Sequence, residues 1–226
     1  MNESILSPVW LTVQLAGITT LLLLAVGTPI AWWIARSQSR FKPIVEALTA
    51  LPLVLPPTVL GFYLLYAFNP NAPLGSFFVW ITGDTLVFSF QGLVAASLIY
   101  SLPFMVQPLR VAFDEIDPNL LDTIRVLGAN GFMKFFLVVV PVTYRGFITA
   151  AVLTFAHTVG EFGVVLMIGG SIPGETKVLS IAIYEMVVET ISNADAHRLS
   201  LGLLVFSFLV LVGVYTLNRK DPLKVG

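Results

Sequence analysis

Hydropathy along the chain falls into long apolar runs separated by short polar interruptions. Runs at about 9–35, 44–68, 86–108, 143–168 and 199–217 each hold enough apolar residues to cross a hydrocarbon core about 30 Å thick at 1.5 Å per residue. Within each run the apolar residues are continuous and do not alternate as barrel strands do, so the pattern predicts helices. The expectation is an all-α integral membrane protein with about five transmembrane helices. No repeat period and no relation between two halves is visible. The whole of 1–226 therefore reads as one membrane domain with its core at about 9–217.

The polar interruptions sort by charge. Arg36, Arg40 and Lys42 follow the first run, Arg110, Arg125, Lys134 and Arg145 surround the third connection, and Arg219, Lys220 and Lys224 close the chain. That places ten of the twelve basic residues on one side, with Lys177 and Arg198 on the other. Basic loops stay in the cytoplasm, so the N-terminus is predicted outside and the C-terminus inside. The connection "NPNAPLGSFFVWITGD" has no basic residue and falls outside. Val178 to Ile191 reads as a surface-lying or re-entrant helix on that outer side, with Glu185 and Glu189 on one face. A sixth span there would move the basic tail outside, against the charge rule.

Composition changes the picture only by exclusion. The chain is 57% hydrophobic and 11% charged, with a mean hydropathy of +0.90, too apolar for a solvated surface. It contains no cysteine, which removes thiolate metal sites, disulfides and thiol redox chemistry. A net charge of −1 gives no reason to expect a nucleic-acid partner. The N-terminal "MNESILSP" lacks a basic leader region, so the first run is expected to be a retained span.

One cytoplasmic stretch departs from this character: "DPNLLDTIRVLGANGFMKFFLVVVP", Asp117 to Pro141. Asp117 before Pro118 is a helix start, with a carboxylate for the free N–H groups and a proline at the first helical position. Leu120, Leu121, Ile124 and Leu127 share a side, and Gly128 suits the left-handed residue that ends a helix. Asn130 is placed to cap a second short helix carrying Phe132, Phe135 and Phe136 toward the membrane, and Pro141 marks entry to the next span. The prediction is a helix–turn–helix knuckle that needs a partner surface.

Candidate chemistry inside the spans is sparse. Pro52, Pro56 and Pro57 remove backbone donors and bend the second span. Counted from a start near Gly146, Glu161 lies about 22 Å along the fourth, past its middle toward the outer side, where an acid must face a cavity or a partner. Gly160 and Gly163 allow the helix to break around it. His157 precedes Glu161 by four residues, but no third ligand is in view and no metal site is expected. No Lys or Arg falls in the middle of a predicted span. A passage lined by small and hydroxyl side chains, such as Thr58, Ser97, Ser101, Thr154 and Thr158, is the expectation. The chain has no phosphate-binding loop of the form G-x-x-x-x-G-K-[ST], so no nucleotide cofactor is expected in it. A proton-linked channel or ion-coupled transporter, or a hydrolase using Glu161 and His157, would leave the cytoplasmic knuckle without a purpose.

The knuckle resembles the cytoplasmic loop of ABC importer permeases. That family's pattern is Glu-Ala-Ala, three residues, Gly, nine residues, Ile, one residue, Leu-Pro. Here Asp122-Thr123-Ile124 is followed at the same spacings by Gly128, Val138 and Val140-Pro141, with Asp for Glu and Thr-Ile for Ala-Ala. "LPLVLPPTVLGFYLL", Leu51 to Leu65, and "GEFGVVLMIGGSIPGETKVLSIAIYE", Gly160 to Glu185, resemble the molybdate branch, and more loosely the sulfate branch, of these permeases. The resemblance implies the MetI-like permease fold in a bacterial inner membrane. It also implies that the loop at about 112–142 couples to ATPase subunits through Asp117, Asp122, Arg125, Gly128 and Pro141. Two cytoplasmic ATPase subunits would use ATP, a second copy would complete a homodimer, and an extracytoplasmic binding protein would deliver the anion. Position and polarity, apart from the resemblance, make Pro56, Pro57, Thr58, Ser97, Thr158, Gly160, Glu161 and Gly163 the candidates to line or gate the pathway. Sulfate, thiosulfate and tungstate are the neighbouring cargoes.

Overall fold

The computed structural model describes residues 3–126, 130–189 and 194–219, without the side chains of 3–5 and 124–126. Leu127 and Gly128 lie outside these residues, as do Ile124 and Arg125 at the side-chain level. Among the described residues the regular structure is helical. Three helices cross a membrane by length and composition: α1 (Glu3–Arg36), α5 (Phe90–Asp114) and α12 (Ala194–Asn218). Two bent pairs bring the number to five. In the first, α2 (Lys42–Val54) and α3 (Pro57–Phe68) meet at 113°. In the second, α7 (Gly131–Lys134), a π-helical turn (Phe135–Val139) and α8 (Val140–Val142) meet α9 (Tyr144–Val159) at 77°.

The predicted straight span over 143–168 is corrected. It stops at Val159, and α10 (Gly163–Gly169) is a separate helix, because Gly160 to Phe162 leave the helical path. Pro52 does not bend the second span; it sits inside α2, and the break comes at Leu55 and Pro56. Nor does Pro141 open the fourth span, since the chain passes through it helically and breaks at Thr143. The π turn explains this. Proline has no N–H to give the preceding turn, and a wider turn just before it absorbs the mismatch.

The core is built from α1, α5 and α9. Leu23, Ile34, Met105, Leu109, Phe113 and Ala150 are buried together, with Trp32 edge-on to Phe113 at 5.2 Å. Close approach depends on small residues. A Cβ on Gly146 would fall 2.3 Å from the Ala112 Cβ, so α5 and α9 touch nearly backbone to backbone there. Arg36 ends α1 by donating from Nη2 to the carbonyls of Phe113 and Ile116 at 2.7 and 3.3 Å, and Arg110 bridges α5 to Glu46 of α2 at 3.0 Å. In contrast, α12 buries only Ala196 among its residues.

The remaining helices are short. On the side assigned to the exterior, α4 (Pro73–Thr82) follows α3, and α11 (Leu179–Glu189) follows α10. In the cytoplasmic knuckle, Asp117 Oδ1 accepts from Asn119 N at 2.9 Å and opens α6 (Pro118–Val126). Asn130 Oδ1 accepts from Met133 N at 2.8 Å and opens α7. Leu121 is buried, while Leu120 and Asp122 are exposed. Of the three phenylalanines, Phe135 enters the core against Trp32 at 6.0 Å, whereas Phe132 and Phe136 stay exposed.

Candidate functional site

The two interrupted stretches of helix come together. At the first, Leu55 precedes a proline and is driven to extended backbone, ψ 136°; Pro56 is extended as well, ψ 135°, and Pro57 occupies the first position of α3. At the second, α9 ends with Gly160 N donating to the Ala156 and His157 carbonyls at 3.2 and 3.0 Å, and α10 restarts at Gly163. A Cβ on Gly163 would lie 3.0 Å from the Pro57 Cβ, and one on Gly61 equally close to Met167. Thus α3 and α10 lie against each other with their broken ends adjacent.

Glu161 sits inside the second break with its side chain fully buried. An ionised carboxylate there needs donors, and α5 supplies them. Ser97 Oγ donates to Oε2 at 2.5 Å and Ser101 Oγ to Oε1 at 2.6 Å. A serine hydroxyl has one hydrogen, so Ser101 has only acceptor capacity left for its other neighbours, Thr158 Oγ1 at 2.8 Å and His157 Nδ1 at 2.9 Å. With its hydrogen on the carboxylate, Ser101 can accept from both, from His157 in the tautomer that carries a hydrogen on Nδ1. The imidazole is held against Phe104 with ring centroids 3.8 Å apart and stands 4.9 Å from Tyr100. From the other side, Ser180 of α11 donates to the Glu161 carbonyl at 2.5 Å. One acidic residue therefore ties together α5, α9 and α11.

Helix α11 is itself secured twice. Leu179 N donates to Thr12 Oγ1 of α1 at 2.8 Å, and Lys177 pairs with Glu185. The Lys177 ammonium, hydrogen-bonded to Glu185, holds that carboxyl below its ordinary range.

The residues predicted from sequence divide into two sets. Pro56, Pro57, Thr58 and Gly160 are exposed, Gly163 is half-buried, and all lie at the facing breaks. Ser97, Ser101, Thr154 and Thr158 are buried within the chain's own packing, so the expected hydroxyl-lined passage is corrected: of that group only Thr58 reaches open surface. The reason is the carboxylate, which draws Ser97 directly and Thr158 through Ser101. Sequence reasoning missed Ser180, for which nothing local signals a bond 19 residues away, and the Tyr100 and Phe104 rings around His157. Among the described residues no group of three or more His, Cys, Asp or Glu could hold a metal ion. Asp117 and Asp122 lie in the knuckle, remote in sequence from the breaks; Pro141 lies between the two.

A family model described as "Binding-protein-dependent transport system inner membrane component" matches residues 27–219. The chain is 53% identical to the molybdenum transport system permease protein ModB of Azotobacter vinelandii, over 97% of this chain and 96% of that one. It is 32% identical to the ModB protein of Escherichia coli K12 over 94% of each. It is 34% identical to a putative molybdenum transport permease of Bacillus subtilis over 91% of this chain and 90% of the relative. Among solved structures, a chain of an inward-facing MetNI methionine ABC transporter superposes with a TM-score of 0.69 at 19% identity, covering 97% of this chain and all of that one. A chain of a bacterial alginate ABC transporter superposes at 0.74 and 16% identity, covering 97% of this chain and 80% of that one. At such identities these two speak for the fold alone.

Proposed function

Because the chain belongs to the binding-protein-dependent transport system inner membrane component family, we propose that it is the permease subunit of an ATP-driven importer for molybdate. The observation that carries this reading is the 53% identity, over nearly the whole of both chains, to a relative named for molybdenum transport. Two copies of the chain form the conduit between them, since five helices from one copy are few to enclose a path. Two cytoplasmic ATPase subunits dock on the knuckles at about 112–142, with Asp117, Asp122, Arg125, Gly128 and Pro141 in the coupling segment. A binding protein outside the membrane selects the oxyanion.

The mechanism follows from where the chain is stiff and where it is interrupted. ATP binding draws the two ATPase subunits together, and each knuckle moves with its subunit. The motion passes through Pro141 and the π turn into α9, which packs on α5 and ends at the second break. There the facing ends of α3 and α10 form the gate, with Pro56, Pro57, Thr58 and Gly160 toward the conduit and Gly163 as the contact between them. Glu161, with Ser97, Ser101 and Thr158, holds the second break in its present shape until the motion exchanges those hydrogen bonds. Among the described residues, none of those assigned to the gate is a cation, so the anion meets no tight site there and is released once the gate opens.

The test is uptake of labelled molybdate into liposomes holding the chain with its ATPase subunit, with binding protein outside and ATP inside. Uptake should require all three and should resist an equal concentration of sulfate or thiosulfate. Uptake by the chain alone under an ion gradient overturns the importer reading. Suppression by equimolar sulfate overturns molybdate as the cargo, and an unlabelled tungstate arm measures discrimination between the two metallates.

A further inference from the structure

We propose that the groove between α1 and the π-helical turn binds an anionic phospholipid of the cytoplasmic leaflet. Its volume is about 510 Å³, and its walls include Ala25, Trp32, Phe135, Phe136, Val140 and Phe147. The backbone creates it. The π turn and the 77° bend at Thr143 carry α9 away from the line of α7 and leave that flank of α1 uncovered. Thr28 also borders the groove, but its hydroxyl donates back to the Leu24 carbonyl at 2.6 Å, so the walls present almost only carbon. Such a surface fits a hydrocarbon chain and gives a polar solute nothing to bond.

The charge lies at one end. Trp32 carries the Arg36 guanidinium over its ring at 5.4 Å, and Phe135 directly follows Lys134. Arg36 is the last residue of α1 and Lys134 the last of α7, which puts both at the cytoplasmic end of the groove, with Arg40 and Lys42 in the adjoining loop. The Lys and Arg ion pairs among the described residues are made by Arg110, Lys177 and Arg198, and none by these four cations. Arg36 uses Nη2 on two carbonyls, while its Nε is buried without a hydrogen-bond partner among the described residues. An acyl-sized apolar groove ending in uncompensated positive charge at the inner membrane surface matches one phosphodiester headgroup with its tail. A zwitterionic headgroup brings its own cation and gains less there. Because Phe136 and Val140 belong to the segment joining the knuckle to α9, the bound lipid would touch the part that transmits the stroke.

The experiment is lipid retention by the purified complex of this chain with its ATPase subunit, read by native mass spectrometry and by displacement of a fluorescent phosphatidylglycerol. Phosphatidylglycerol should be retained in preference to phosphatidylcholine, and inorganic phosphate should not displace it. Lys134→Gln should weaken phosphatidylglycerol about fivefold, as expected for one surface cation, and leave phosphatidylcholine unchanged. Ala25→Phe, which fills the groove, should remove the retained lipid while the complex still assembles. Equal retention of the two lipids, displacement by inorganic phosphate, or unchanged retention in either variant overturns the proposal; should Ala25→Phe fail to assemble, the Lys134→Gln comparison decides alone.

Discussion

The two helix breaks that face each other are made by different chemistry. The break before α3 is covalent: two pyrrolidine rings remove N–H groups and fix φ, and no side-chain hydrogen bond caps it. The break before α10 is polar, with glycine at either side and a buried carboxylate held by Ser97 and Ser101, its carbonyl held by Ser180. A ring cannot be unmade during a transport cycle, whereas hydrogen bonds can be exchanged one at a time. The first break is therefore a fixed corner, and the second is the member of the pair able to change shape.

Glu161→Ala should have the largest effect. It takes the acceptor from the Ser97 hydroxyl in a closed space, at about 1–3 kcal/mol for the orphaned donor, whereas Ser101 can turn to Thr158 or His157. The complex should melt several degrees lower and lose ATP-driven uptake, while Glu161→Gln, which keeps the shape and one carbonyl acceptor, should recover part of the melting loss. Melting and uptake equal to wild type in the alanine variant would show that the second break does not depend on its acid. Gly163→Leu comes next. Its Cβ begins 3.0 Å from the Pro57 Cβ, so the side chain must push α3 and α10 apart at an overpacking cost of about 1–3 kcal/mol. Uptake should fall more than ATPase activity, because the contact lies at the proposed gate and far along the chain from the knuckle. Equal loss of both would place the contact in the coupling path.

Pro57→Ala should matter less. Position 57 is the first of its helix, where alanine is also accepted, and Pro56 still holds the corner. The cost, about 0.4–1 kcal/mol, comes from greater freedom in the unfolded chain, and uptake should hardly change. A large loss of uptake would mean that the corner needs both rings. Lys177→Met should be the smallest and should appear as a pH effect. The Glu185 carboxyl is held below its ordinary value of 4.5, so this pair contributes stability that is present above that value and lost as pH falls through the lowered one. Melting temperatures of the variant and wild type should differ slightly near neutral pH and converge as pH falls below 4.5 and through the lowered value. A difference that persists in acid would assign the effect to something other than the pair.

These two breaks also show what a sequence can disclose. The proline corner was legible because its cause is covalent and local, although Pro52 looked equally capable and is absorbed inside α2. The caps Asp117 and Asn130 were legible for the same reason, since each acts within three residues. Glu161 was visible as a charge in an apolar run, and its flanking glycines suggested a break. Its cage was not visible, because Ser97 and Ser101 come from α5 and Ser180 from α11, and only packing brings them together. Ser97, Ser101 and Thr158 were accordingly expected along the passage when they group around the acid. The π turn was also hidden, since Pro141 signals a mismatch without saying where the helix will absorb it.

The sparse burial of α12 has a practical consequence. The chain contains no cysteine at all, so a single thiol introduced at Leu204, which is exposed, would carry a spectroscopic reporter with no background labelling and little disturbance of the fold. In a two-copy assembly such reporters form a ruler across the symmetry axis. Its reading with and without nucleotide would tell whether this helix travels with the stroke or stays parked in the lipid.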